Sequence, residues 1–219
     1  MNSAEVLRQL STVSASLFLL TSFALLAQRH MRAFLIWFSF QGILLGSLSA
    51  MVAYSTDSYE LYVSAILAFF LKGILIPFLL WKIVIRLGVN REVETQINLF
   101  STMLIGAILV LFSYYVSLPI QKTIMDMTRN IIAIGLACVL ISMLIMITRR
   151  KAVTQVVGYL TLENSLFFTA TAATHGMPLV VEIGVAFDVL IAVLIFGVFF
   201  FQIRKTFDSL DLRHLENKP

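Results

Sequence analysis

The chain has 219 residues, of which 59% are hydrophobic and 13% charged, with a mean hydropathy of +0.94. A soluble domain carries roughly twice that charged fraction, so the composition excludes one and points to an all-α, polytopic helix bundle in a membrane. The net charge of +4 and the pI near 9.4 do not make a nucleic-acid binder, because the basic residues are scattered over short loops rather than gathered on one face.

In chain order, apolar runs of about 20 residues, enough for one bilayer crossing each, predict about seven transmembrane helices: residues 4–27, 31–54, 59–86, 97–119, 128–148, 153–174 and 178–203. The N-terminus lacks the basic n-region and cleavage site of a removable signal peptide, so the first helix is expected to stay. It carries Glu5 and Arg8, which would draw its start toward the interface. The linkers are short, and sequence neighbours should pack antiparallel. Twelve loop cations fall on one side: Arg29, Arg32, Lys82, Arg86, Arg91, Arg149, Arg150, Lys151, Arg204, Lys205, Arg213 and Lys218. Three fall on the other, Arg8, Lys122 and Arg129, and Lys72 belongs to neither set. Cytoplasmic loops are the basic ones, so the N-terminus is expected outside and the C-terminus in the cytoplasm. The tail, 204–219, mixes apolar and charged residues; a surface helix and a frayed end are equally compatible with it.

Three ionisable residues fall near mid-membrane. Lys72 is about 13 residues into the third span, Glu163 about 10 into the sixth, and Asp188 about 10 into the seventh from the opposite face, hence ~15–19 Å deep at 1.5 Å per residue. A charge at that depth costs about 2.5–3.5 kcal/mol on insertion scales and usually serves a function. A lysine and an acid can also form a static pair that holds helices or subunits together. Three titratable groups at one depth favour a proton or ion path, since a low dielectric brings acids and amines toward neutrality, where protons exchange. Glu182 and His175 lie near the outer end of the seventh span, where water can solvate them. Pro77 cannot donate to the carbonyl of Gly73, which leaves that carbonyl free beside Lys72. A neighbouring helix or water must satisfy it, and a kinked, hydrated helix is expected there.

Other chemistry is missing from the pattern. The single cysteine, Cys138, allows no internal disulfide and no Cys-x-x-Cys motif. His30, His175 and His214 sit at span ends or in the tail, which argues against haem. There is no Gly-rich phosphate loop and no His/Cys metal spacing. The many Phe and Met residues read as packing and lipid-facing side chains rather than a quinone site.

The motif Gly158-Tyr-x-x-x-Glu163-Asn164, followed by Val181-Glu182-Ile183-Gly184-x-x-x-Asp188, resembles the C-terminal signature of the hydrogenase-4 component E family. Lys72-x-x-x-x-Pro77 fits it too, and the resemblance covers essentially the whole chain. These are membrane subunits of complex-I-like nickel–iron hydrogenases and formate hydrogenlyases. Residues 128–203, with Arg149-Arg150, Gly158 and Asn164, are also similar to subunit K of complex I. Leu160 and Ala192 stand where that subunit has its two intramembrane glutamates; Glu163 and Asp188 lie about one turn away on roughly the same faces. Residues 1–127, which carry no decisive motif, would take the place of the neighbouring J subunit. Lys72, Pro77, Phe78 and Trp81 resemble a run of the antiporter-like subunits, with Leu79 where that run often has histidine.

The resemblance implies a membrane-arm subunit of an energy-converting hydrogenase or formate-hydrogenlyase-type complex in a bacterial or archaeal cytoplasmic membrane. Its partners would be antiporter-like and quinone-subunit-like membrane proteins and hydrophilic hydrogenase subunits. It implies no cofactor in this chain; the nickel–iron centre and iron–sulfur clusters would sit in partner subunits. Glu163 and Asp188 would accept protons on a central axis. Lys72 would bias a neighbouring acid or relay protons, and Asn164 would order water or hold Glu163. Pro77 and Glu182 would support them. The alternatives are a scaffold whose charges only pin it to its neighbours and a stand-alone carrier. A carrier often shows internal repeats, and none is visible between the halves.

Overall fold

The computed structural model describes residues 3–56, 59–86, 93, 97–121 and 129–174. The predicted seventh span with Glu182 and Asp188, together with His175, Lys122 and the tail, lies outside the described residues.

Every regular element among the described residues is helical: α1 (Ser3–Ala27), α2 (Met31–Thr56), α3 (Tyr59–Phe70), a π-helical turn (Leu71–Leu75), α4 (Ile76–Arg86), α5 (Leu99–Gln121), α6 (Arg129–Thr148) and α7 (Ala152–Thr174). In lipid a helix satisfies its own backbone, so apolar runs become helices throughout. These elements follow the first six predicted spans to within two residues at each end, with α3, the π-turn and α4 forming the third. Four stretches are long and apolar enough to cross a bilayer: Met31–Tyr54, Leu61–Ile85, Leu99–Leu118 and Ile131–Thr148. The apolar part of α1, Thr12–Ala27, is shorter. Polar residues interrupt α7, and Thr154, Thr161, Glu163, Asn164, Ser165 and Thr171 are all buried. Its polar stripe therefore faces protein, and a count of crossings by apolar length falls short of seven.

The packing fixes which side chains can meet. On α6 and α7, Gly135 lies against Thr169 and Gly158 against Met146, so the two helices run antiparallel. α2 meets the third span in the same sense. A Cβ on Gly42 would come within 2.7 Å of the Lys72 carbonyl carbon, and one on Gly46 within 3.2 Å of the Ala65 carbonyl oxygen. Gly42-x-x-x-Gly46 is thus a small-residue strip that lets two backbones touch, a common membrane-helix contact. Helices from either side of residue 127 also pack together, α1 on α6 and α2 on α7. Phe18 of α1 stacks on Phe168 of α7 with ring centroids 4.5 Å apart, within a core that includes Leu45, Leu48, Ile131 and Cys138. α5 is the most exposed of the spanning stretches; Phe100, Leu111 and Tyr115 face outward.

Candidate functional site

The π-turn places Lys72. In a π-turn the amide hydrogen bond reaches back five residues rather than four, and here the Ile76 N–H donates to the Leu71 carbonyl. One residue later Pro77 has no N–H to offer. The Gly73 carbonyl, which the sequence leaves without its helical donor, accepts a hydrogen bond from the Ser39 hydroxyl of α2. The expected irregularity beside the lysine is therefore a five-residue π-turn, and a neighbouring helix supplies the missing donor. Gly42 lets α2 come close enough to do so.

Lys72 points inward and is 1% exposed. Its Nζ donates to Glu163 Oε1 at 3.0 Å and lies 5.5 Å from the centroid of the Phe167 ring. Glu163 is 9% exposed. Among the described residues Lys72 thus meets the acid Glu163, 91 residues away along the chain. Neither ion is paired by chance at this burial: an isolated charge would carry a desolvation cost of several kcal/mol, which the pairing offsets.

Asn164, the next residue on α7, turns toward α2. Its Nδ2 donates to Gln41 Oε1 at 3.4 Å, a long hydrogen bond. Gln41 Nε2 donates to Ser22 Oγ of α1 at 3.1 Å, and Ser22 Oγ donates to its own helix at the Phe18 carbonyl, 3.1 Å away. All three side chains are buried. A polar line therefore runs from α1 through α2 and α7 to the third span: Ser22, Gln41, Asn164, and then the Glu163–Lys72 pair.

A second buried cation sits at the junction of α6 and α7. Arg149 is 1% exposed. Its Nη2 donates to the Leu25 and Leu26 carbonyls at 3.2 and 2.8 Å, at the C-terminal end of α1, where orphan carbonyls and the helix dipole favour a cation. The guanidinium carbon lies 5.4 Å from the Phe34 ring centroid. Burial pulls its pKa down to about 10, which leaves it charged across the neutral range. The sequence counts Arg149 as an ordinary loop cation; in the structure it is a helix-end clamp.

Lys72, Glu163, Asn164 and Pro77 of the predicted site thus gather in one region, while Asp188 and Glu182 lie outside the described residues. Ser22, Ser39, Gln41 and Gly42 were not singled out from the sequence. The available signals were the Gly42-x-x-x-Gly46 spacing and a glutamine within an apolar span. Among the described residues, no three His, Cys, Asp or Glu side chains cluster to hold a metal.

Apolar helices of crossing length around a buried lysine–glutamate pair define an integral membrane protein with an ionisable interior. The chain is 32% identical over 197 residues to the uncharacterized protein Rv0085 of Mycobacterium tuberculosis, an alignment that covers 90% of each chain. It is 23% identical over 201 residues to hydrogenase-4 component E of Escherichia coli K12, covering 92% of this chain and 93% of that one. The Shigella flexneri protein of the same description gives the same figures. No family model matches the chain, and no solved structure is significantly similar to it. The chain belongs to one family with Rv0085, and over nearly its whole length it is similar to hydrogenase-4 component E.

Proposed function

We propose that this protein is a membrane-arm subunit of a complex-I-like hydrogenase and that its Lys72–Glu163 pair lies on a proton path coupled to electron transfer in partner subunits. The observation that carries this reading is the 3.0 Å contact between a lysine and a glutamate on different helices, both buried in the bundle. A proton added to the carboxylate weakens its hold on the ammonium, and a proton lost restores it, so the pair can take up and release charge without moving a helix. Asp188 would continue the path and Glu182 would support it. The nickel–iron centre and iron–sulfur clusters would belong to hydrophilic partners, and antiporter-like and quinone-subunit-like proteins would adjoin this one. Seven crossings, with the N-terminus outside and the C-terminus in the cytoplasm of a bacterial or archaeal cell, fit the twelve-to-three split of loop cations. A formate-hydrogenlyase-type assembly is within this reading.

The test is proton pumping by the intact complex in inverted membrane vesicles, with Glu163→Gln beside the unmodified protein and with assembly and hydrogen evolution followed in the same membranes. The expected result is an assembled complex that evolves hydrogen without acidifying the vesicles. Unchanged pumping would remove Glu163 from the path. A second reading, a scaffold, is favoured by one observation: Lys72 of the third span meets Glu163 of α7, so the pair could serve as a static cross-link between them. In that case replacing both partners by apolar residues of similar volume should be tolerated with pumping intact.

A further inference from the structure

Two cations lie on the outside of the bundle at one end of it, and each is held on an aromatic ring. The Arg32 guanidinium carbon is 4.8 Å from the centroid of Trp81, and Lys82 Nζ is 5.6 Å from that of Phe78. Both cations are exposed, and neither forms an ion pair with any described residue. Arg32 opens α2, while Trp81 and Lys82 lie in the last two turns of α4. The Arg32–Trp81 contact therefore joins the start of one crossing stretch, Met31–Tyr54, to the end of another, Leu61–Ile85. The same faces carry apolar side chains outward: Ile36 one turn from Arg32, and Phe78 and Ile85 one turn to either side of Lys82. The surface between α2 and α4 is thus apolar with two cations set in it, and along a crossing stretch such a surface meets lipid. Tryptophan settles at headgroup level, which puts Arg32 and Lys82 where phosphates are. An aromatic ring compensates a cation only in part, so each keeps N–H donors for an anion. The Arg32 fork matches two phosphate oxygens, and Lys82 adds a point charge. An anion reaching this surface must bring an apolar body to cover Ile36 and Phe78, which a free phosphate lacks and a phospholipid has.

We propose that Arg32, Trp81 and Lys82 form a binding site for the phosphate of an anionic phospholipid, whose acyl chains run inward along Ile36 and Phe78. Both cations belong to the twelve on one side of the chain, and basic residues at a membrane surface attract anionic headgroups. The bound lipid bridges the start of α2 and the end of α4, and so fastens the third span to its neighbour beyond the π-turn. The site requires only that the chain spans a membrane. It stands whether or not Glu163 carries protons.

In the experiment the protein is purified from its membranes with whatever subunits accompany it, stripped of lipid in detergent, and titrated with phosphatidylglycerol, phosphatidylcholine or glycerol 3-phosphate. Native mass spectrometry counts the molecules that stay on this chain when it is released from the assembly. The expected result is a phosphatidylglycerol bound more tightly than phosphatidylcholine and not displaced by an equal concentration of glycerol 3-phosphate. Arg32→Gln and Lys82→Gln should each weaken that binding about fivefold, the weight of one basic residue near a headgroup, and together they should weaken it further. Trp81→Leu, which removes the ring under Arg32, should act in the same direction by a smaller factor. Arg29→Gln removes another exposed cation from the connection that precedes α2 and should leave binding unchanged. If the double variant does not assemble, the single variants decide by the same measure. Full retention of phosphatidylglycerol by the Arg32 and Lys82 variants would overturn the site. Equal losses with Arg29→Gln and Arg32→Gln would overturn it too, in favour of a diffuse field of positive charge. Equal binding of phosphatidylcholine would overturn the role of the cations, and displacement by glycerol 3-phosphate would overturn the lipid as the occupant.

Discussion

Lys72 and Arg149 are both 1% exposed, yet the bundle holds them in opposite ways. Lys72 faces a side-chain carboxylate, a partner that can itself gain or lose a proton. Arg149 faces backbone carbonyls at the end of α1, which cannot. Its guanidinium stays charged across the neutral range even with its pKa drawn down to about 10 by burial. One cation is paired with a second side-chain ion across two helices; the other closes a helix end and ties α1 to the α6–α7 junction. Burial alone therefore does not distinguish the two cations; the partner's chemistry does.

The sharpest way to break this contrast is to remove one member of the couple. Lys72→Met takes the ammonium away from the buried Glu163 carboxylate, with an expected loss of about 3–5 kcal/mol in stability. Thermal inactivation of the assembled complex would register it. Arg149→Met removes a charged donor from two carbonyls and should cost about 2–4 kcal/mol, also read as thermal inactivation. That cost should be the same from pH 5 to 9, because Arg149 does not titrate in that window: its pKa, lowered from 12.5, still stands near 10. The complexes that do assemble should pump normally. A pH-dependent Arg149 phenotype would erase the distinction between the two cations.

Two smaller effects sharpen the picture around Lys72. Gly42→Ala pushes a methyl group against the backbone of Lys72 and Gly73, and overpacking of this kind costs about 1–3 kcal/mol. Reduced yield of assembled complex and a lower inactivation temperature should report it. Ser39→Ala removes the donor to the Gly73 carbonyl and should cost about 1–2 kcal/mol, with Ser39→Thr close to the unmodified protein in the same assay.

The sequence shows where the helices lie because a bilayer leaves little else for an apolar run to do. It also puts Lys72 and Glu163 about equally far into their predicted spans. Which acid meets Lys72 is a question of rotation about two helix axes and of which helices adjoin, and a single sequence carries neither. The serines show why the rest of the site stays hidden. Ser142 and Thr161 bond to carbonyls one turn back on their own helices, as hydroxyls in helices usually do, whereas Ser39 bonds across to the third span. Nothing local separates the two behaviours. Arg149 misleads for a similar reason: a basic residue in a short connection normally meets water or lipid headgroups, and only the docking of α1 on α6 turns this one inward. The π-turn at Leu71–Leu75 shows the partial case. Proline announces an orphan carbonyl and a break in the ladder, but not which form the break takes.

The claim at the centre of this account is that the Lys72–Glu163 couple matters for its protons and not for its grip. The most direct measurement is proton pumping by a complex in which both charges are removed together, Lys72→Met with Glu163→Leu, so that neither member of the pair is left facing the other's absence and the volume is nearly kept. The account predicts an assembled complex of near-normal thermal stability that evolves hydrogen and acidifies nothing. Full acidification by that double variant would contradict it and make the pair a cross-link between helices.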